Sequence, residues 1–241
     1  MKISVIVPAY NEERLISKTL GQLRLAMAAF SQAGWDSELI VCDNNSTDRT
    51  AALARDGQAR VVFEPINQIA RARNSGAAAA SGDWYVFVDA DSEPSAALLA
   101  EVVEQIQAGR CLAGGSTVKL DTDHPAGTRA IALWNWLSLR FRLLAGSFIF
   151  CEAGAFREIG GFNEELFASE EIDLTRRLKS LARKKGKQIV ILRQNPLLTS
   201  ARKMHLYTVR EYVWFVLRTV LTLGGTLKRR DSCHTWYDGR R

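Results

Sequence analysis

Cysteine is scarce in this chain, and its positions show no pattern. The four cysteines are scattered over 241 residues, at Cys42, Cys111, Cys151 and Cys233. No two of them have the short paired spacing of a zinc site or of a small disulfide framework. The cysteine usage therefore argues against both and favours a reducing compartment.

Long apolar runs, internal repeats and low-complexity linkers are also missing. The stretch 130–150 is rich in Trp, Leu and Phe, but Arg140 and Arg142 interrupt it too strongly for a membrane span. The chain opens with Met1 and Lys2 and enters an apolar strand directly, so we expect no secretory leader. We therefore expect a cytoplasmic protein, long enough for one large α/β domain or two small ones.

Acidic residues are rare in the last quarter of the chain. Residues 1–175 carry 15 basic and 23 acidic side chains, whereas residues 176–241 carry 17 basic and 3 acidic ones. Such a basic segment needs solvent or an anionic partner, and the candidates are lipid headgroups, nucleic acid or a phosphorylated substrate.

Apolar strands alternate with amphipathic helices over the first ninety residues. This order predicts parallel pairing with right-handed crossovers, and ligands then bind beyond the carboxyl ends of the strands. Three polar segments, 8–12, 43–48 and 89–93, follow such strands and should meet in one crevice. We expect strands at 3–7, 38–42, 60–63, 84–88 and 112–120, and helices at 11–30, 49–55, 69–80, 101–107 and from Glu170 onward.

Two carboxylates, Asp89 and Asp91, directly follow the predicted buried strand 84–88. Residues two apart in an extended chain point the same way, so these carboxylates would repel each other unless they share a cation. The alternative is an acidic surface loop that binds nothing. The spacing alone leaves both interpretations open.

Six short segments, spread over residues 7–174, form a recognisable series. They are VPAYNEE at 7–13, DNNSTD at 43–48, ARNSG at 72–76, DAD at 89–91, GGF at 160–162 and EEIDL at 170–174. Their order and spacing resemble those of the family-two glycosyltransferases of the GT-A fold. The resemblance implies a Rossmann-like, mostly parallel sheet flanked by helices. It also implies a hexosyltransferase that takes its sugar from a UDP- or GDP-sugar.

The resemblance also implies a divalent metal site. Asp91 would be the direct ligand, Asp89 would hold the ribose or share the metal, and Glu93 would be a further ligand. A cation there would neutralise the departing diphosphate, and hard oxygen ligands suit Mg²⁺ or Mn²⁺.

Nucleotide binding is implied for a second group of residues. Asp43 would read the base; the residues around it also suit an Asx-turn or helix cap, and both roles can hold together. Of the two arginines near the nucleotide, only one should point inward, because residues two apart diverge on a helix. The implied nucleotide-binding residues are Pro8, Tyr10, Glu12, Asp43, Arg71, Arg73 and Asp89.

The catalytic base is implied at 170–173. The family usually has Glu-Asp here and uses the second carboxylate, so Glu171 takes that position, with Glu170 and Asp173 as alternatives. All three would also suit the first turn of a helix for electrostatic reasons alone. One base suffices for an inverting displacement at the acceptor hydroxyl.

The last residues suggest a second kind of partner. We expect a catalytic domain over 1–200 and a basic, amphipathic helical tail over 201–241. The tail either lies on an anionic membrane, as a peripheral protein on the inner face would, or packs on the domain. Trp134, Trp136, Phe141, Phe148 and Phe150 form either an apolar patch on the acceptor side or part of the core.

Two other functions remain as alternatives. A nucleotidyltransferase of similar fold lacks support, because no glycine-rich loop with Lys and Arg follows the first strand. A basic module that binds membrane or nucleic acid without catalysis would explain the tail. The acidic crevice argues against nucleic acid as a partner.

Overall fold

A computed structural model describes residues 1–122, 125–202, 225–228 and 231. Its strands are β1 (Lys2–Ala9), β2 (Asp36–Asp43), β3 (Arg60–Phe63), β4 (Trp84–Val88), β5 (Ser92–Glu93), β6 (Cys111–Leu120), β7 (Phe148–Glu152) and β8 (Gln188–Thr199). Its helices are α1 (Ile16–Gln32), α2 (Thr50–Asp56), α3 (Ile69–Ala79), α4 (Ala96–Gln107), α5 (Pro125–Phe141), α6 (Ala153–Glu158) and α7 (Glu170–Lys184), with a 3₁₀ turn at Gly225–Lys228.

The strands form one mixed sheet in the order β3-β2-β1-β4-β7-β6-β8-β5. The neighbours β3, β2, β1 and β4 are parallel, as the alternation of strands and helices predicts. β7 runs antiparallel to both β4 and β6, which the sequence did not indicate. Because β7 is reversed, the loop that enters it lies at the same edge as the carboxyl ends of β1, β2, β4, β6 and β8.

Helices cover both faces of the sheet, and β1 shows why. Its residues alternate between two apolar clusters, with Val5 and Val7 in the cluster beneath α1 and α4, and Ile6 in the cluster beneath α3, α6 and α7. A strand buried on both faces needs residues that are apolar or fully hydrogen-bonded, which explains its mostly apolar composition. Ser4, the buried polar residue of this strand, donates its hydroxyl to Glu38 Oε1 at 2.6 Å.

The first helix begins later than the sequence predicts. Residues 11–13 form a loop instead of a helix cap, and Asn11 has a left-handed backbone with φ of 52°. Its side-chain oxygen accepts a hydrogen bond from the Thr47 N–H at 2.8 Å, and the Glu12 N–H donates to Thr50 Oγ1 at 2.7 Å. The polar residues therefore tie together the loops after β1 and β2.

The aromatic residues between 130 and 150 divide between the two expected roles. Phe148 and Phe150 on β7 are fully buried in the core, whereas Trp136 and Phe141 on α5 are exposed. Among the described helices, none combines the length and the apolar character that a membrane crossing requires. The predicted tail over 201–241 lies largely outside the described residues.

Candidate active site

The polar ends of β1, β2 and β4 meet at one edge of the sheet. Asp43 ends β2 beside Ala9 of β1, and Asp89 follows β4 directly. The Asp89 N–H donates to the carbonyl of Ser147 at 3.2 Å, so the loop entering β7 closes the edge. Thr19 of α1 holds the loop after β4 by donating its hydroxyl to the Ala90 carbonyl at 2.7 Å.

A buried guanidinium connects the acidic segment 170–173 to this edge of the sheet. Arg73 of α3 is 1% exposed and donates from Nη1 to Glu170 Oε1 at 2.6 Å and from Nη2 to Asp89 Oδ1 at 3.0 Å. It also donates to the Gly146 carbonyl at 2.9 Å and lies over the ring of Phe162. Burial alone would lower the pKa of Arg73, but the carboxylates around it outweigh that effect and raise the pKa.

Glu171 lies beside this ion pair and has an unusual proton affinity. Burial raises the pKa of Glu171 to about 8, the negative charge of Glu170 adds to the rise, and Arg73 opposes it. The side chain nevertheless keeps a partial opening to solvent. A carboxylate that takes up a proton near neutral pH in a crevice is suited to general-base chemistry.

Asp173 lies on α7 but is engaged elsewhere. Its Oδ2 accepts from Arg177 Nε at 2.7 Å, and its Oδ1 accepts from Arg176 at 3.1 Å. Arg177 also donates to the carbonyls of Ile159 and Gly161, both at 2.7 Å. Asp173 therefore anchors the glycine turn to α7, and the structure does not bring it into the cluster with Arg73.

Asp91 lies beside Glu12, and an arginine from beyond β8 reaches both. Arg202 Nη2 lies 2.8 and 3.0 Å from the two carboxylate oxygens of Glu12 and 3.9 Å from Asp91 Oδ2. The Ser200 N–H donates to the Asp91 carbonyl at 3.1 Å, which holds this segment against the acidic loop. Burial would lower the pKa of Arg202, but Glu12 and Asp91 raise it above its usual value.

The residues predicted to bind a metal separate into different contacts. Asp89 is held by Arg73, Asp91 faces Arg202, and Glu93 on β5 forms an ion pair with Lys18 at 2.5 Å. In the described part of the chain, no three His, Cys, Asp or Glu side chains gather as a ligand set. Mg²⁺ is commonly held by one or two carboxylates together with substrate phosphates, so Asp91 and Asp89 fit such an ion bound with a diphosphate.

The residues predicted to bind the nucleotide line the other part of the edge. Pro8 is buried within β1, Tyr10 is half-buried beyond it, and Asp43 is 5% exposed at the end of β2. Asp43 Oδ1 accepts from the Ser46 N–H at 3.1 Å, which is the Asx-turn expected as its structural role. Arg71 points away from Arg73 and pairs with Glu164 at 3.0 Å.

Sequence reasoning missed Arg202 and the loop 142–147. Arg202 is 190 residues from Glu12 in the chain, and the pairing of β8 with β6 and β5 brings it to the crevice. Gly146 contributes a backbone carbonyl, which carries no sequence signal beyond the glycine itself.

We expect Arg73→Met to destabilise the fold by about 3–5 kcal/mol, because it leaves Glu170 and Asp89 without their buried cation. Chemical denaturation measures this loss. Arg71→Met is the matched control on the same helix, and its half-exposed pair with Glu164 should cost no more than about 1 kcal/mol. Equal losses in the two variants would contradict a structural role for the buried network.

The family model described as Glycosyl transferase family 2 matches residues 4–156, which is more than half of the chain. A curated relative, dolichol-phosphate mannosyltransferase of Pyrococcus furiosus, is 30% identical over 124 residues, covering 48% of this chain and 33% of that protein. The chain spans between a fifth and a third of the length of the first curated relatives it matches.

Two solved structures share the fold. The mannosyltransferase PcManGT from Pyrobaculum calidifontis, solved with GDP-Man and Mn²⁺, has a TM-score of 0.67 at 19% identity, covering 90% of this chain and 60% of that one. TarS 1–349 of S. aureus, solved with UDP-GlcNAc, has a TM-score of 0.66 at 21% identity, covering 98% of this chain and 69% of that one. The mixed sheet with helices on both faces is therefore of the GT-A type.

Proposed function

Since the chain belongs to glycosyl transferase family 2, we propose that it is an inverting, metal-dependent hexosyltransferase. It takes the sugar from a UDP- or GDP-sugar and transfers it to an acceptor hydroxyl. The observation that carries the proposal is the buried Arg73, which binds Asp89 and Glu170 while Glu171 stands beside them with a raised pKa.

The donor nucleotide binds where the ends of β1, β2 and β4 meet. Asp43 accepts a hydrogen bond from the base, and Pro8, Tyr10 and Glu12 form the wall along the base and ribose. The neighbours solved with GDP-Man and UDP-GlcNAc support a nucleotide-sugar in this fold. Arg73 fixes the Asp89 carboxylate through its Oδ1, and Asp89 would hold the ribose or share the metal.

Asp91, with Asp89, would hold Mg²⁺ or Mn²⁺ together with the diphosphate. When bound, the cation supplies positive charge that stabilises the departing nucleoside diphosphate. The Mn²⁺ in the PcManGT complex supports a divalent ion. Glu93 is a weaker candidate ligand, because its carboxylate is paired with Lys18.

Glu171 acts as the base. It takes the proton from the acceptor hydroxyl as that oxygen bonds to the anomeric carbon, while the bond from that carbon to the diphosphate oxygen breaks. Glu170 is adjacent, but its Oε1 already accepts a hydrogen bond from Arg73 Nη1 at 2.6 Å. The ion pair therefore directs the proton to Glu171.

The acceptor is proposed to be lipid-linked or membrane-proximal. The basic character of residues 176–241 supports this, as does the similarity to the dolichol-phosphate mannosyltransferase of Pyrococcus furiosus. An anionic bilayer attracts basic segments at roughly 1 kcal/mol per nearby Lys or Arg. The protein would then work as a peripheral membrane protein on the cytoplasmic side.

A panel of nucleotide sugars tests the function. UDP- and GDP-sugars are added with Mn²⁺ or Mg²⁺, and thermal stabilisation and donor hydrolysis are measured in parallel. We expect one nucleotide class to stabilise the fold and to be hydrolysed slowly without acceptor. Stabilisation by nucleoside triphosphates with release of pyrophosphate would instead indicate a nucleotidyltransferase.

The rate of transfer should depend on pH through Glu171. Because the base must be ionised and its pKa is raised to about 8 in the free protein, kcat/KM should rise about tenfold per pH unit below that value and level off above it. Initial rates at donor concentrations well below KM measure this profile. The residual activity of Glu171→Gln should lack the rise, and a profile that is flat between pH 6 and 8 in the wild type would contradict the assignment.

A further inference from the structure

The outer face of α5 is apolar, and no helix or strand of the described residues covers it. Leu133, Trp136 and Leu139 are 60%, 59% and 42% exposed on one side of the helix, and Phe141 at its end is 48% exposed. The opposite side is anchored, because the Asn135 amide exchanges hydrogen bonds with the backbone of Val118, both at 2.9 Å. Single exposed apolar residues are ordinary, but several on one fixed helix form a contact surface.

Positive charge surrounds this face. Arg129 and Arg140 lie on the same side of α5 as Trp136, and Arg142 follows the helix end. α7 adds Lys179, whose ammonium donates to the Phe141 carbonyl. No carboxylate of the described residues pairs with any of these cations, and α5 itself contains no Asp or Glu.

The basic residues are close enough to influence each other. Burial lowers the pKa of Lys179, and the positive charges of Arg183 and Arg142 lower it further. An anion at this end of α5 would relieve that repulsion. Apolar side chains flanked by uncompensated cations are the composition of a helix that lies in the headgroup region of an anionic bilayer.

The same helix leads directly to the candidate active site. The loop 142–147 follows α5, and there the Gly146 carbonyl accepts from Arg73 while the Ser147 carbonyl accepts from the Asp89 N–H. A surface that docks on α5 is therefore one short loop away from the proposed base.

We propose that the outer face of α5 docks on an anionic lipid bilayer, with Leu133, Trp136 and Leu139 inserted among the headgroups and Arg129 and Arg140 on the lipid phosphates. The idea that this surface brings a lipid-linked acceptor to the active site rests on the proposed function. A second copy of the chain is the less suitable occupant, because two α5 faces would bring the same cations together. The segment 203–224 of this chain carries three basic and one acidic side chains, so it offers no excess of negative charge to these cations.

Co-sedimentation of the full chain with vesicles tests the proposal. The vesicles are phosphatidylcholine alone or with about a quarter phosphatidylglycerol, at low and at high salt. We expect binding to the anionic vesicles that weakens with salt. Leu133→Glu should lower the partition coefficient by about tenfold or more, because it places a charge on the inserted face.

Leu25→Glu on α1 is the matched control, since Leu25 is 70% exposed on another helix. This variant should bind vesicles like the wild type. Thermal unfolding checks that both variants fold. Equal binding by Leu133→Glu and the wild type would overturn the proposal and place the contact elsewhere. So would an absence of binding by the wild type, or a dimer in sedimentation velocity that Leu133→Glu dissociates.

Donor hydrolysis without vesicles is measured on the same preparation. Hydrolysis without vesicle binding overturns the docking surface and leaves the transferase intact. Vesicle binding without any hydrolysis or donor stabilisation overturns the proposed function and leaves the docking surface intact.

Discussion

Replacing Glu171 with glutamine is expected to lower kcat by about 10²–10⁴-fold while leaving donor affinity almost unchanged. Glutamine keeps the size of the side chain but cannot take up the acceptor proton. Steady-state kinetics gives kcat, and titration calorimetry with the donor nucleotide and Mn²⁺ gives the affinity. The split between the two separates loss of the base from loss of the site.

Stability provides a check on this variant. The pKa of Glu171 is raised in the folded state, so between about 4.5 and 8 the native protein binds more protons at this site than the unfolded chain. The Glu171 contribution to stability is therefore lost as pH rises through that window. The side chain of Glu171→Gln stays neutral at every pH. Above about pH 8, the free energy of unfolding of this variant should therefore be at least as large as that of the wild type.

Two neighbouring variants complete the experiment. Asp173→Asn should keep most of its turnover, because Asp173 is engaged with Arg177 at the glycine turn. Glu170→Gln should lose stability, because it breaks the buried pair with Arg73. If Asp173→Asn or Glu170→Gln instead abolishes turnover with normal donor binding and normal stability, that residue is the base.

Replacing Asp91 with asparagine is expected to weaken metal-dependent donor binding by about 100-fold or more, with the fold intact. Its carboxylate lies in the acidic loop beside Glu12 and serves no apolar core, so its loss affects the ion more than the packing. Calorimetry with UDP and GDP, with and without Mn²⁺, measures the effect. Thermal unfolding without ligand verifies the fold.

Glu93→Gln is the matched control in the same loop. Its carboxylate is paired with Lys18, so we expect a change in donor affinity of only a few-fold. Full activity of Asp91→Asn, or full activity of the wild type in excess chelator, would contradict the metal role. A larger loss in Glu93→Gln than in Asp91→Asn would make Glu93 the principal ligand.

Local patterns were sufficient for the parallel half of the sheet. The predicted strands at 60–63 and 84–88 match β3 and β4, and the helix predicted from Glu170 begins at that residue in α7. Each of these elements has a dense apolar pattern or an abrupt polar boundary, and such signals are local. The predicted start of α1 was wrong, because Asn11 and Glu12 form hydrogen bonds with Ser46 and Thr50 instead of capping a helix.

The candidate site also has one part that the sequence predicts and another that depends on tertiary contacts. The sequence by itself determined which residue types stand at the strand ends, and its six segments sufficed to place the chain in its family. Only the tertiary structure decided that Arg73 pairs with Glu170, 97 residues away, and that Arg202 reaches Glu12, 190 residues away.

The exposed face of α5 also belongs to the tertiary structure. The aromatic stretch 130–150 allowed a patch or a core, and the structure buries Phe148 and Phe150 while leaving Trp136 outside. Local sequence determines which side of a helix is apolar, but the other elements determine which side is covered. Charge pairing and burial depend on residues distant in the chain, and these meet only when the antiparallel β7 and the parallel β8 complete the sheet.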